Sequence, residues 1–194
     1  MAEVPENPRK TPRQARSRAT CEAVVEAAAR ILETEGAEAF NTNSIARRAG
    51  VSIGTLYQYY PDKQSILAEL IRRERALLLA DFHAIPEHSA TPLADMVAAS
   101  IRHQFARPAL ALALERLERG LDLDAETMAL TREIAAIAER LLEGAFGKLD
   151  LTSRLDAIAI ARALINGAAE GGLPVEGLAE RVLRAVGAYL SAAP

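Results

Sequence analysis

The sequence contains no tryptophan, a single cysteine and few aromatic residues of any kind. Aromatic residues make up 4% of its 194 residues, and Cys21 has no partner for an internal disulfide. A fold held together by internal disulfides is therefore excluded. Cys21 shares a helical face with Val24, Val25 and Ala28, so a buried, inert thiol is the simple interpretation, and a redox sensor is the alternative.

Long apolar runs and runs of β-branched residues are also missing. No stretch approaches the ~20 uninterrupted apolar residues that a membrane-spanning helix needs, and residues 1–14, MAEVPENPRKTPRQ, lack the apolar segment of a secretory signal. Ala and Leu dominate instead, which favours helix throughout. We therefore expect a cytoplasmic, nucleoid-associated, all-α protein of about nine helices, long enough to bury a core.

Residues 42–63, TNSIARRAGVSIGTLYQYYPDK, are the most informative segment. The spacing of Ala46, Gly50 and Leu56 is that of a helix-turn-helix. Ala46 is small enough for one helix to cross close over another, and Gly50 permits the positive φ of the turn. Leu56 supplies apolar contact between the two helices, and Ser52 stands where the N-cap of the second helix belongs.

Charge is distributed unevenly around this motif. Residues 1–75 contain 12 Lys/Arg and 10 Asp/Glu, a net charge of +2, whereas residues 76–194 contain 11 and 16, a net charge of −5. The total of −3 therefore arises from the acidic second part. A cluster of cations precedes the motif; it could be only a solvated tail, but in this position we interpret it as an arm that meets phosphates. The cluster comprises Arg9, Lys10, Arg13, Arg16 and Arg18.

Proline, glycine and capping residues divide the chain into segments. We predict a flexible basic tail at 1–12, a helix-turn-helix domain at 13–60, a connecting helix within 61–83 and a larger helical domain at 84–194. The predicted helices cover residues 13–35, 43–49, 53–59, 62–82, 91–106, 108–120, 125–147, 153–171 and 175–192.

The last two predicted helices carry apolar residues on more than one face. A helix of this kind is buried on more than one side. The pair could be the core of a single chain, or it could associate with a second copy in a four-helix bundle, which would give a helix-turn-helix protein two half-sites. We favour the homodimer, with an interface formed by Ile158, Arg162, Ile165, Leu178, Val182, Leu183, Val186 and Leu190.

The segments AAARILETEG and AFNTNSIARRAGVSIGTLYQYYPDKQSIL resemble the DNA-binding domain of the TetR/AcrR family of bacterial regulators. The likeness covers residues 13–75, with Tyr60 where the family usually has Phe. The remainder of the chain matches only in the number and layout of its helices. The resemblance implies an Ω-shaped homodimer, usually a repressor, that binds double-stranded operator DNA and is released by a small effector bound in the larger domain.

The resemblance also implies which residues touch DNA. Thr42 and Lys63 would hold phosphates, and Tyr57 and Tyr59 would reach phosphates through their hydroxyl groups, with core packing as the alternative. Arg47 and Arg48 are interpreted as a solvated face, Arg48 being the weaker candidate for contact. Residues placed where base edges are reached are Asn43, Ile53, Gly54 and Thr55; Ser52 and Gln58 complete the predicted set.

The effector pocket is less well determined by the sequence. Large, adaptable apolar residues in the helices that would surround it are Phe82, Met96, Phe105 and Met128, with His103 as a polar handle. Core packing explains the first four equally simply, and surface exposure explains His103. Few charged residues are expected on inward faces, which predicts an apolar or weakly polar effector. Activation is the alternative to repression.

Motifs for catalysis are missing from the sequence. It contains no HExxH, P-loop, GxSxG or paired-cysteine spacing, and its three histidines have no partner motif. We therefore predict no enzymatic activity, no metal and no cofactor. An enzyme, or a structural helical protein that reuses the helix-turn-helix for packing, is the alternative.

Overall fold

The computed structural model describes residues 11–86, 88–119, 121 and 123–192. Regular structure in this part of the chain consists of α-helices and one short 3-10 helix at Ala37–Ala39, which confirms the predicted all-α class. The helices are α1 (Thr11–Thr34), α2 (Thr42–Ala49), α3 (Ile53–Tyr57), α4 (Lys63–His83), α5 (Pro92–Ala106), α6 (Pro108–Glu118), α7 (Ala125–Phe146), α8 (Leu151–Ala169) and α9 (Leu178–Ala192).

Several helix ends differ from the prediction. Helix α1 begins at Thr11, inside the predicted tail, because Pro12 is tolerated in a first turn where its missing N–H would have no partner. The part of the tail before Thr11 lies outside the described residues. Helix α9 begins only at Leu178, since Gly171 and Gly177 both adopt positive φ and interrupt helix between them.

The chain divides into two compact units, Met1–Glu69 and Leu70–Pro194. The boundary falls inside α4, the helix that the sequence analysis predicted to connect the two domains. Helix α4 contributes buried side chains to both units. Ile66 is buried in the first unit, and Phe82 belongs to a core cluster of the second.

Polar caps and one glycine fix the helix-turn-helix in the first unit. The Asn41 side chain accepts a hydrogen bond from the Ser44 backbone N–H at 3.0 Å and so caps α2. The Ser52 hydroxyl accepts one from the Thr55 N–H at 3.0 Å and caps α3. Gly50 ends α2 in the left-handed region at φ 69°. The roles of Gly50 and Ser52 agree with the sequence prediction.

The buried part of the contact between α2 and α3 is apolar. Ile45 and Leu56 are fully buried, and Ala46 and Tyr60 are nearly so. Phe40, in the loop that precedes α2, is buried as well. These side chains hold α3 against α2 and leave the opposite face of α3 free.

The core of the second unit is centred on α8 and α9. Leu178 and Val182 are buried in a cluster that extends to Val97 of α5 and Leu142 of α7. At the edge of this cluster the Tyr189 hydroxyl donates to Asp156 Oδ2 at 2.5 Å. This hydrogen bond, helped by burial, raises the pKa of Tyr189 above its usual value. Among the described residues, no helix is long and apolar enough to cross a bilayer.

Candidate nucleic-acid interface

Two of the three tyrosines at the end of α3 and just after it are exposed. Tyr57 and Tyr59 are 51% and 37% exposed, whereas Tyr60 is only 8% exposed. The Tyr60 N–H donates to the Leu56 carbonyl oxygen at 3.0 Å, and both side chains are buried in the core. The alternative of core packing therefore applies to Tyr60 alone, and the other two rings are available to a partner.

The start of α2 and the end of α3 meet at one hydrogen bond. Thr42 Oγ1 and Tyr57 Oη lie 3.2 Å apart. Both side chains were predicted to hold phosphates, and the structure brings them together. A hydroxyl next to the free backbone amides at a helix N-terminus is an arrangement that binds phosphate.

Lys63 lies at the first turn of α4, with its side chain exposed. The turn is fixed by Asp62 and Ser65. Asp62 Oδ1 accepts from the Ser65 N–H at 2.7 Å, and the Ser65 hydroxyl donates to the Asp62 carbonyl oxygen at 2.7 Å. A capped helix end thus fixes the backbone from which the Lys63 side chain extends.

The predicted base-reading residues lie on the outer side of the motif. Asn43, Ile53 and Gly54 are exposed. A Cβ added at Gly54 would meet only Ser52 Oγ, at 3.8 Å, so no contact within the chain requires glycine there. Glycine inside a helix costs about 1 kcal/mol relative to Ala. The space beside Gly54 is thus open to an outside partner.

Ser52 and Thr55 differ from the other residues predicted to contact DNA. Their hydroxyl oxygens lie 2.8 Å apart, and the Ser52 oxygen also accepts the Thr55 N–H. Both hydroxyls therefore have a partner within the chain. Their first role is to fix the start of α3.

The cations around the motif are not equivalent. Arg48 Nη1 lies 2.6 Å from Glu35 Oε1, so its charge is neutralised within the first unit. This agrees with its ranking as the weaker candidate. Arg47, and Arg16 and Arg18 on α1, have exposed side chains. Arg9 and Lys10 of the predicted arm lie outside the described residues.

Known proteins resemble this chain in sequence within its first unit. The model of the family described as bacterial regulatory proteins, tetR family, matches residues 24–70. Helix-turn-helix transcriptional regulators of Staphylococcus aureus strains USA300 and MW2 are each 30% identical over 64 residues, or 33% of this chain and 35% of theirs. The chain thus spans about a third of the length of the curated relatives it matches.

Through residues 24–70 the chain is similar to bacterial regulatory proteins of the tetR family. The matching family and these relatives are regulators, which agrees with the predicted absence of enzymatic activity. In the described part of the chain, no group of His, Cys, Asp or Glu side chains is arranged to hold a metal ion.

Solved structures share the fold over most of the chain. A TetR family transcription regulator from Marinobacter aquaeolei aligns with a TM-score of 0.68 and 19% identity, covering 92% of this chain and 97% of that one. The TetR-like regulator LfrR from Mycobacterium smegmatis, solved in complex with proflavine, aligns with a TM-score of 0.66 and 20% identity over 91% and 99%. At this identity the likeness establishes the fold alone.

The second unit contains a cavity of about 730 Å³. Phe82, Met96 and His103 line it, as the sequence analysis proposed. Phe105 and Met128 do not belong to its lining. Phe105 packs against the α8–α9 core cluster, and Met128 lies 42% exposed on the surface of α7.

The expectation of few charged residues on inward faces is wrong. Three glutamates and three arginines line the cavity. Five of them pair with each other or with polar neighbours, which lowers the cost of burying charge, and the sixth, Arg119, is exposed. A single helix pattern could not reveal them, since the partners come from different helices. The pairs are Arg75–Glu118, Arg162–Glu115, Asn166–Glu115 and His103–Glu74.

The structure divides the predicted dimer residues into two groups. Those buried within the single chain have no surface to offer a second copy, because α8 and α9 use one apolar face against their own core. The residues that keep exposed surface are Ile158, Arg162 and Leu183; the buried ones are Ile165, Leu178, Val182, Val186 and Leu190. Exposed leucines that the prediction omitted are Leu151 and Leu155.

Proposed function

We propose that the protein is a DNA-binding transcriptional regulator that represses transcription by occupying a near-palindromic operator as a homodimer. The observation that carries this proposal is the joined pair of Thr42 and Tyr57 beside exposed Tyr59 and Lys63. Packing of the helix-turn-helix uses Ile45 and Leu56 and does not need these exposed groups. Phosphate binding gives them a common purpose.

Two copies would place two recognition helices in successive major grooves. On one face of B-DNA these grooves are ~34–36 Å apart, so operator symmetry would mirror the two-fold axis of the dimer. Support for pairing comes from α8, where Leu151 and Leu155 are exposed apolar side chains. Exposed leucines on a helix whose other face is already buried favour a partner at that surface.

The proposed effector site is the cavity of the second unit. Its volume of about 730 Å³ lies within the range of small-molecule pockets. Helix α4 runs without a break from Lys63 to His83, and Phe82 near its end lines the cavity. An effector that favours one position of α4 would change the separation of the recognition helices and release the operator.

Footprinting on the intergenic DNA upstream of the protein's own gene tests this proposal. We expect protection of two half-sites centred about one helical turn, or a multiple of it, apart. Lys63→Ala should weaken both half-sites together. Uniform protection along the fragment, without discrete half-sites, would reject an operator-binding role. A reporter fused to the same DNA separates repression from activation, because loss of a repressor raises its output.

A separate experiment tests whether effector binding in the cavity changes the affinity for the operator. Coupling between two sites is reciprocal, so an effector must weaken operator binding by the same factor by which operator weakens effector binding, typically ~5–150-fold. Lipophilic compounds that raise the melting temperature should be titrated into the operator complex. If none of them changes operator affinity, and Phe82→Ala alters neither affinity, release through this cavity must be abandoned.

A further inference from the structure

Arg47 and Arg48 are consecutive residues near the end of α2, and their charges have different surroundings. Arg48 Nη1 lies 2.6 Å from Glu35 Oε1, so its charge is balanced within the first unit. The Arg47 side chain is exposed, and among the described residues it takes part in no ion pair or hydrogen bond. Two cations that look alike in the sequence therefore separate into one that is neutralised and one that is available to a partner.

The faces of α2 show what Arg47 is aligned with. Ile45 and Ala46 are buried, and they define the face that packs into the first unit. Asn43 and Arg47 are both exposed and stand four residues apart, so they share a face of the helix and are separated by about one turn of ~5.4 Å. Arg47 thus continues the face on which Asn43 is proposed to contact DNA.

The direction of helical side chains brings Arg47 closer to that contact. Each Cα–Cβ bond of an α-helix is tilted towards the N-terminus, so a side chain at position 47 is directed back towards Asn43. The N-terminal end of α2 also carries Thr42, whose Oγ1 lies 3.2 Å from Tyr57 Oη. Backbone and side chain together direct the Arg47 guanidinium towards the proposed DNA surface.

The chemistry of the guanidinium favours a phosphate as its partner. It is always charged and presents several N–H donors in a planar arrangement that matches the oxygens of a phosphate. Arg47 stands one turn further from the N-terminus of α2 than Asn43, and the DNA backbone borders the groove in which base edges are read. A long cationic side chain set back from a base-reading residue is therefore placed to meet the backbone.

We propose that Arg47 is a further contact of this protein with a phosphate of its operator, made from the last turns of α2. The inference rests on the proposed DNA-binding function and adds one charged contact to those of Thr42, Tyr57 and Lys63. A cation near the end of a helix also stabilises the helix dipole. Arg48 shares that effect, so it does not explain why Arg47 alone lacks a partner within the described residues.

Arg47→Gln and Arg48→Gln form a matched pair of variants. Both remove one positive charge from the same turn of α2, and Gln has nearly the helix propensity of Arg. Fluorescence anisotropy measures the affinity of the full chain for its upstream intergenic DNA and for a shuffled fragment at several salt concentrations. Arg47→Gln should weaken binding to both fragments about fivefold for each chain bound, as an exposed ion pair of up to ~1 kcal/mol implies.

The dependence on salt identifies the contact as one with phosphate. For Arg47→Gln the slope of log affinity against log salt should become shallower by about one for each chain bound, whereas Arg48→Gln should leave it nearly unchanged. Arg47→Lys keeps the charge and should restore most of the slope. Equal slopes for Arg47→Gln and Arg48→Gln would overturn the inference. So would a changed base preference in Arg47→Gln with an unchanged slope.

The same titrations separate this inference from the function on which it rests. If the wild type prefers its upstream DNA and Lys63→Ala flattens the slope but Arg47→Gln does not, the Arg47 contact is wrong and the regulator stands. If the wild type binds both fragments equally and Arg47→Gln still flattens the slope, the contact is correct and specific operator binding is wrong. Absence of binding to either fragment would overturn both.

Discussion

Tyr57, Tyr59 and Tyr60 are near neighbours in sequence and have different surroundings. A turn after α3, closed by the Tyr60 N–H and the Leu56 carbonyl oxygen, buries Tyr60 with Leu56 and leaves the other two rings exposed. This much could be predicted from spacing alone. The hydrogen bond between Tyr57 and Thr42 could not, because it depends on how α3 crosses α2.

Lys63 provides the clearest test of a phosphate contact. Lys63→Ala removes one cation from the DNA surface, so affinity for every DNA sequence should fall by a similar factor. The slope of log affinity against log salt should become shallower by about one. Fluorescence anisotropy at several salt concentrations measures both. The role is contradicted if sequence preference changes while non-specific affinity stays the same.

Asn43→Ala is the matched variant for base recognition. Asn43 is exposed beside the motif, and an asparagine amide can bond a base edge in the major groove. The variant should lose about 1–3 kcal/mol on the operator and little on shuffled DNA. Competition between operators that differ at single bases locates the affected position. An equal loss on both DNAs would assign Asn43 to the backbone instead.

At the scale of elements, the N-cap of α2 positions the first helix of the motif. Asn41→Ala leaves the Ser44 N–H without its acceptor and should lower the free energy of unfolding by about 1 kcal/mol. Asn41→Asp keeps a capping oxygen and should be close to the wild type. Thermal or urea unfolding compares the three proteins. Identical stability of the Ala variant would show that the cap does not hold α2.

The N-cap of α8 makes stability depend on pH. The Asp150 carboxylate accepts hydrogen bonds from the Ser153 hydroxyl at 2.6 Å and its N–H at 3.0 Å, and these bonds lower the pKa of Asp150. A lowered folded pKa gives stability that is present above the unfolded value of ~3.9 and is lost as pH falls through the folded value.

Asp150→Asn tests this dependence, because asparagine caps a helix without titrating. Melting temperatures are compared at about pH 5 and about pH 3, on either side of the unfolded pKa. The wild type should lose more stability over this interval than the variant. An equal loss in both proteins would mean that other carboxylates cause the acid sensitivity.

Helix ends and caps could be predicted because their causes are local. Asn41, Gly50 and Ser52 act on atoms within a few residues, so sequence spacing identifies them. The polar lining of the cavity could not be predicted in this way. Arg75 and Glu118 lie on different helices, and their pairing depends on which faces of α4 and α6 meet.

At the scale of the whole molecule, the set of residues predicted for the dimer interface includes residues that are buried within the single chain. The pattern of one helix does not show which neighbour covers each of its faces. The pattern of α8 and α9 showed two apolar faces but not which of them the chain uses for itself. The structure buries Val182 completely and leaves Leu155 57% exposed. A substitution at Leu155 therefore tests the dimer, and one at Val182 tests the fold of the single chain.

Leu155→Asp should separate a dimer into folded monomers, because the new charge lies at the surface of the single chain and is desolvated only by a partner. Val182→Asp should instead unfold the protein. Analytical ultracentrifugation and circular dichroism give the two readouts. A wild type that stays monomeric at micromolar concentration, or a dimer that Leu155→Asp leaves intact, would contradict pairing through α8.

The central claim is that the exposed face of the helix-turn-helix binds a specific DNA sequence. The most direct measurement is the affinity of the purified full chain for its own upstream intergenic DNA, compared with a shuffled fragment of the same length at physiological salt. We predict affinity for the native fragment at least ~10³-fold greater than for the shuffled one. Equal affinities for the two fragments would contradict the claim.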